Sequence, residues 1–213
     1  TKTAFVNLDD PIQAEKTATL PRYTFATDSY DGDVRVENIE ANPMVSLIFN
    51  ELHIQSNLIG IYNAANISAA IAIGTYFKVA DNQIKAAIEG YIPNNNRSQI
   101  MALNGNSIIL DAYNANPSSM AAAITNLQQL DTQNKIAILG DMFELGPESP
   151  EEHRKVIGLL TGQDSIEVHF VGKDFYSNKV EQSNLHFHES FENLKNYLCG
   201  LMHKLTGEVN LLL

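Results

Sequence analysis

The sequence predicts an α/β protein of two domains, residues 1–92 and 93–213, the second of them Rossmann-like with a mostly parallel sheet. Three observations carry this. The chain beyond residue 97 alternates short apolar runs with amphipathic stretches of ten or more residues, a pattern that calls for right-handed strand–helix–strand crossovers. The first half has a different texture, turn-rich to about residue 50 and Ala-rich afterwards. Between the halves lies YIPNNNRS, where Pro93 and three asparagines interrupt all periodicity, and the domain boundary is placed there.

In the first half, AFVNLDDP, PRYTFATDSYDGDVRVENIE and PMVSLIF read as short strands joined by Asp, Gly and Pro turns, without the 3.6-residue period of a helix. AFVN looks like a buried strand with nothing before it to pair with. NAANISAAIAIGTYF, from Asn63, is a buried helix bounded by Gly74. Asp81 then caps a second helix, NQIKAAIEG, with Ile84 and Ile88 on one face and Gly90 as its stop.

In the second half the expected strands are SQIMAL, NSIILDAY, KIAILGDM, EVHFVG, LHFHES and VNLLL. SSMAAAITNLQQL, SPEEHRKVIGLL and SFENLKNYLCGLMHKL are the expected helices. No GxGxxG follows any strand, so dinucleotide binding has no support.

Composition narrows the function classes. Of 213 residues, 44% are hydrophobic and 18% charged, and 14 Lys and Arg against 25 Asp and Glu give a formal charge of −11. The basic residues form no run longer than Arg154-Lys155, which argues against a nucleic-acid or anionic-membrane surface. The apolar runs are too short to span a bilayer, and no basic segment followed by an apolar one opens the chain, so a cytoplasmic location is expected. Cys199 is the only cysteine; its setting, YLCGLM, reads as a buried small hydrophobe. His186 and His188 lie two apart on one strand face, but no Cys, Asp or Glu cluster completes a metal site, and a surface pair is expected.

The segment richest in chemistry is ILDAYNANPSSM, residues 109–120. A buried strand ends at Asp111, a polar turn carries Tyr113, Asn114 and Asn116, and Pro117 opens a helix. Ligands of open α/β sheets collect at the carboxyl ends of strands, beside helix N-termini. Asp111 can accept from ribose hydroxyls and the Asn amides can donate and accept, but Asp and Asn equally serve to make a turn and cap a helix. Asn63 and Asn66, three apart at a helix start, share one face and could bracket a planar base, or Asn63 could simply cap.

DAYNANPSSM resembles the DSYNANP-x-SM signature of the D-alanyl-D-alanine-adding branch of the Mur ligase family; related Mur ligases and folylpolyglutamate synthases carry other residues at this turn. FVNLDDP, GIYNAANISAA and LGDMFELG followed by His153 match the family in order and spacing, so the resemblance covers nearly the whole chain. Tyr62 stands where that family usually has His.

The resemblance implies that residues 1–92 are the C-terminal part of an ATP-binding central domain and 93–213 a truncated C-terminal ligase domain. It also implies a reaction in which ATP activates the terminal carboxylate of UDP-MurNAc-tripeptide as an acyl phosphate, which the amine of D-alanyl-D-alanine attacks. Asn63 and Asn66 would meet the adenine, Arg97 the ATP phosphates, and Asp111 and Tyr113 the nucleotide, with Asn114, Asn116 and Asp141 on the substrate side. No G-x-x-x-x-G-K-[ST] loop occurs in these residues. The phosphate loop, the Mg2+ ligands and the UDP-sugar domain are therefore expected before Thr1, and VNLLL ends where the family continues with K-G-S-R. On this reading the chain is about half of a monomeric enzyme, with no catalytic or metal-binding residue of its own and no ligase activity alone. A sister amide ligase of folylpolyglutamate or cyanophycin type is the alternative within the superfamily, and a non-catalytic α/β ligand-binding module the alternative outside it.

Overall fold

The computed structural model describes residues 2–27, 31–94, 96–103, 105–201 and 210–212. The chain divides into two compact units, Thr1–Ile92 and Pro93–Leu213.

The first unit holds two three-stranded sheets. Strands β1 (Ala4–Asn7), β2 (Arg22–Ala26) and β3 (Val34–Arg35) run parallel, while β4 (Glu37–Ala41), β5 (Met44–Phe49) and β6 (Leu52–Ile59) form an antiparallel meander. Strand β1, which in sequence has no preceding partner, pairs with the strand that follows it, Ala4 opposite Arg22. The parallel pairing needs a crossover. It is supplied by a helix the turn-rich reading passes over, α1 (Pro11–Lys16). Asp10 caps α1 by accepting from the backbone N–H groups of Ile12 and Gln13, and Pro11 stands in its first turn, where a missing N–H costs nothing.

Helix α2 (Asn63–Tyr76) buries Ala64, Ile67, Ser68, Ile71 and Ala72, the stripe that a 3.6-residue period dictates, against β2, β3 and β5. The core it closes includes Phe25, Val45, Leu47, Phe49 and Ile54. Gly74 lies inside α2 and does not end it. A Cβ there would stand 2.9 Å from the Ile84 side chain, so glycine lets helix α3 (Asp81–Gly90) approach closely. Asp81 is the first residue of α3, with Ala80 in the cap position, and its carboxylate accepts from the Asn50 amide.

The second unit is built on one six-stranded sheet, order β11-β10-β9-β12-β8-β7. Its strands are β7 (Gln99–Leu103), β8 (Asn106–Leu110), β9 (Lys135–Gly140), β10 (Ile166–Val171), β11 (Leu185–His188) and β12 (Asn210–Leu212). All pairs are parallel except the β7–β8 hairpin. Crossovers run through α4 (Pro117–Gln129) and α5 (Ser149–Leu160); between β10 and β11 lies a short helix absent from the sequence reading, α6 (Lys173–Ser177). Helix α7 (Phe191–Leu201) packs on β10 and β11. Of VNLLL, only residues 210–212 lie within the described residues.

Two expectations about side chains fail here. Cys199 is exposed, because α7 turns Leu194 inward and Cys199 lies five residues on, about 140° round the helix. His186 and His188 are not a surface pair. The ring of His188 is buried, its Nε2 lies 3.1 Å from Nδ1 of the fully buried His169, and the rings of His169, His186 and His188 all pack against Tyr197. Among the described residues no cluster of His, Cys, Asp or Glu has the arrangement to hold a metal ion.

This histidine cluster makes stability depend on pH. Burial, and then the neighbouring His186 and His188, push His169 down from 6.5 to about 4. Burial likewise lowers His188. Between those two values the unfolded chain binds more protons than the folded one, so His169 contributes stability that is intact above about 6.5 and lost as pH falls toward 4. Thermal midpoints measured from pH 7.5 to 4 should fall steeply across that window, and a His169→Gln variant should show a shallower fall. Parallel slopes for the two proteins would refute the assignment.

Candidate functional site

Strand β12 runs parallel to both β8 and β9, so these three strands point the same way and the turns leaving β8 and β9 emerge at one edge of the sheet. A cavity of about 290 Å³ opens there. Asp111 to Ala115 line it from the turn after β8, Ile138 to Asp141 and Phe143 from the end of β9, and Met120 and Ala123 from α4. This is the place where an open α/β sheet collects ligands.

Asp111 is half-buried, and its Oδ1 accepts from the backbone N–H of Ser98 at 3.1 Å. The Arg97 guanidinium stacks over the Tyr113 ring, 3.8 Å from its centroid, with Tyr113 itself exposed. Segment 97–98 is thus held to the turn at two points. Stacking uses the guanidinium face and leaves its in-plane N–H groups to bind oxyanions. Asn114 is exposed, and its Oδ1 accepts from the backbone N–H of Ala115.

Asn116 and Asp141 are committed to the fold. Asn116 is the N-cap of α4: its Oδ1 accepts from Ser119 N–H and the Ser118 hydroxyl, while Ser119 returns a bond to the Asn116 backbone. Asp141 turns its carboxylate toward the start of α6, where Oδ2 accepts from Asp174 N–H and Oδ1 from Phe175 N–H. Both oxygens thus hold the start of α6 while Asp141 also lines the cavity. Gly172, at φ +132°, makes room for this, since a Cβ would stand 2.2 Å from the Asp141 carboxyl carbon.

His153 secures the same turn from below. It is fully buried; Nε2 accepts from Met142 N–H at 3.1 Å, which leaves Nδ1 to donate to Ser149 O at 2.7 Å. Phe143, one residue on, is 75% exposed at the cavity's rim, a position the sequence reading missed. The signal was an aromatic between Asp141 and Glu144, in a turn that needs no apolar side chain.

In the first unit the two asparagines that the sequence pairs hydrogen-bond to each other but differ in burial. Asn63 is buried: its Nδ2 donates to Ile59 O at 2.7 Å and its Oδ1 accepts from Asn66 Nδ2 at 2.9 Å. The carbonyl at the end of β6 needs a donor, and position 63 faces it. Only Asn66 is exposed, and it lines an apolar groove of about 540 Å³ with Leu58, Ala70, Ile73, Ala87 and Tyr91.

The family profile described as "Mur ligase middle domain" matches residues 1–74, and "Mur ligase, glutamate ligase domain" matches residues 96–199. The chain belongs to the Mur ligase family. Its relatives include the UDP-N-acetylmuramoyl-tripeptide--D-alanyl-D-alanine ligase of Bacillus subtilis (strain 168), 38% identical over 112 residues, which are 52% of this chain and 24% of that protein. The crystal structure of MurF from Acinetobacter baumannii superposes with TM-score 0.78 at 25% identity, over 99% of this chain and 48% of that one. MurF ligase from Thermotoga maritima, solved in complex with ADP, shares the fold at TM-score 0.76 and 19% identity, over 100% of this chain and 49% of that one. The matched part of the chain spans about a quarter of the curated Bacillus relative and about half of each of the two solved Mur ligase chains.

Two substitutions test how this Mur ligase turn is held. Asn116→Ala removes the side-chain half of the capping box, the bond from Ser119 N–H to Oδ1, and should cost about 1 kcal/mol, lowering the thermal midpoint by about 2–4 °C, whereas Asn116→Asp should keep it. Gly172→Ala, which combines left-handed strain with overpacking against Asp141, should cost about 3 kcal/mol. Chemical denaturation of each variant gives both values; an Asn116→Ala protein as stable as wild type would show that the cap contributes nothing.

Proposed function

We propose that this chain is part of an ATP-dependent ligase that joins D-alanyl-D-alanine to UDP-MurNAc-tripeptide in peptidoglycan precursor synthesis, through an acyl phosphate. The observation that carries the proposal is the turn DAYNANPSSM, set at the carboxyl edge of a parallel sheet beside a cavity of dipeptide size, about 290 Å³. The names of the relatives support the same reaction. Residues 1–92 would be the C-terminal part of the ATP-binding central domain and residues 93–213 the ligase domain. No helix among the described residues is long and apolar enough to cross a membrane, and we place the enzyme in the cytoplasm as a monomer.

In this reading Asn66 contacts the adenine, and Asn63 positions its amide from behind. Arg97 offers in-plane donors to phosphate oxygens, and Asp111 and Tyr113 lie on the nucleotide side of the turn. Asn114 faces the acceptor substrate. Asn116 and Asp141 act by shaping the turn, because their oxygens already accept from α4 and α6. ATP supplies the activating phosphoryl group, and Mg2+ offsets the charge that develops on it. These 213 residues contain no phosphate-loop motif, and no metal cluster occurs among the described ones, so none of them is assigned to a phosphate loop or to Mg2+.

Turnover of UDP-MurNAc-tripeptide, ATP and D-alanyl-D-alanine by the full-length gene product, read as phosphate release, tests the activity. Turnover with glutamate as acceptor and none with the dipeptide would favour a folylpolyglutamate-type or other sister ligase; ligand binding with no turnover would favour a binding module. The 213-residue chain by itself should show no turnover, and Mg-ATP should bind it no more tightly than about 1 mM, since phosphate contacts supply most of an ATP site's binding energy. Micromolar affinity in calorimetric titration would overturn the assignment of these residues to part of a site.

A further inference from the structure

Phe143 is an anomaly of exposure. It is 75% exposed, although it sits between the fully buried Met142 and a cavity whose wall it forms. An exposed aromatic at the wall of a cavity offers apolar contact to whatever the cavity takes.

Its position is also enforced. Glu144 adopts a left-handed backbone, φ +65°, which a non-glycine residue takes only at some cost. On the other side, the Met142 N–H is held by buried His153, and the Asp141 carboxylate is tied to the first turn of α6. Phe143 thus follows two anchored residues and precedes a left-handed one.

The cavity lining indicates what would cover the ring. Ala112, Ala115, Ala123, Ile138 and Leu139 present methyl-sized apolar surface. The charged side chains of the lining are two carboxylates, Asp111 and Asp141, with no Lys, Arg or His among them. Such a lining disfavours a triphosphate and favours a small apolar ligand that bears an amine.

We infer that Phe143 is a binding and specificity residue for the acceptor amine, packing on the methyl groups of a short D-alanyl-type dipeptide in the cavity between the β8 and β9 turns. This inference rests on the ligase reading above and assigns within it which substrate the cavity takes. A branched aliphatic side chain at position 143 keeps most of the contact, whereas alanine removes it.

The test uses the full-length gene product and two variants of this exposed position, Phe143→Ala and Phe143→Leu, whose thermal midpoints should match wild type. Phe143→Ala should raise KM for D-alanyl-D-alanine about tenfold with kcat little changed, and should leave KM for ATP within about twofold, the pattern of lost ground-state binding to one substrate. Phe143→Leu should stay within about threefold of wild type for the dipeptide. An unchanged dipeptide KM in Phe143→Ala overturns the inference, and so does an equal rise in KM for ATP, which would move the ring to the nucleotide. Absence of dipeptide turnover by the wild-type enzyme would instead sink the assignment of function, and this inference with it.

Discussion

The geometry of the second unit's site depends on where the Asp141 carboxylate points. The strand it follows, β9, ends at an edge shared with β8, and the chain leaving it must turn before α5. By accepting from Asp174 and Phe175 N–H, the carboxylate satisfies donors that the start of a helix leaves orphaned and places its negative charge at the favourable end of α6. Gly172 is required for this approach, and His153 fixes the next peptide along. Cavity wall, exposed Phe143 and left-handed Glu144 all follow from that anchoring.

The parallel sheet of the second unit was legible because strand and helix signals alternate at regular spacing, and each expected strand has a counterpart among the described residues. The hairpin was not. Strands β7 and β8 are separated by a two-residue connection, too short for a crossover, whereas SQIMAL and NSIILDAY read only as successive strands of a mostly parallel sheet. Helices α1 and α6 escaped for a common reason. Each has at most six residues, less than two turns, so no apolar stripe could accumulate; α1 is announced only by Asp10 and Pro11, and α6 by Gly172 and Asp174.

Residue types in the candidate site were easier to find than their tasks. Sequence spacing put Asn63 and Asn66 on one helix face, and they do share it closely enough to hydrogen-bond. Spacing cannot tell which of two residues three apart faces the sheet. That is settled by the Ile59 carbonyl, which accepts from the Asn63 amide and takes Asn63 inward, leaving Asn66 outward. Asn116 illustrates the same limit. Its turn was found from its composition, and its capping role and a ligand role require the same amide oxygen.

The polar groups at this edge therefore divide by prior commitment. Asn116 and Asp141 have carboxamide or carboxylate oxygens engaged by helix N-termini, bonds that a ligand could take over only by leaving N–H groups unpaired. Asp111 gives one oxygen to Ser98, and Tyr113 offers one face to Arg97, so each retains capacity for a second partner. Phe143 has no polar commitment and the greatest exposure of the residues named at the rim. The groups least needed by the fold are those most available to a substrate, which is why the exposed aromatic at the rim carries more functional information than the better-satisfied asparagine beside it.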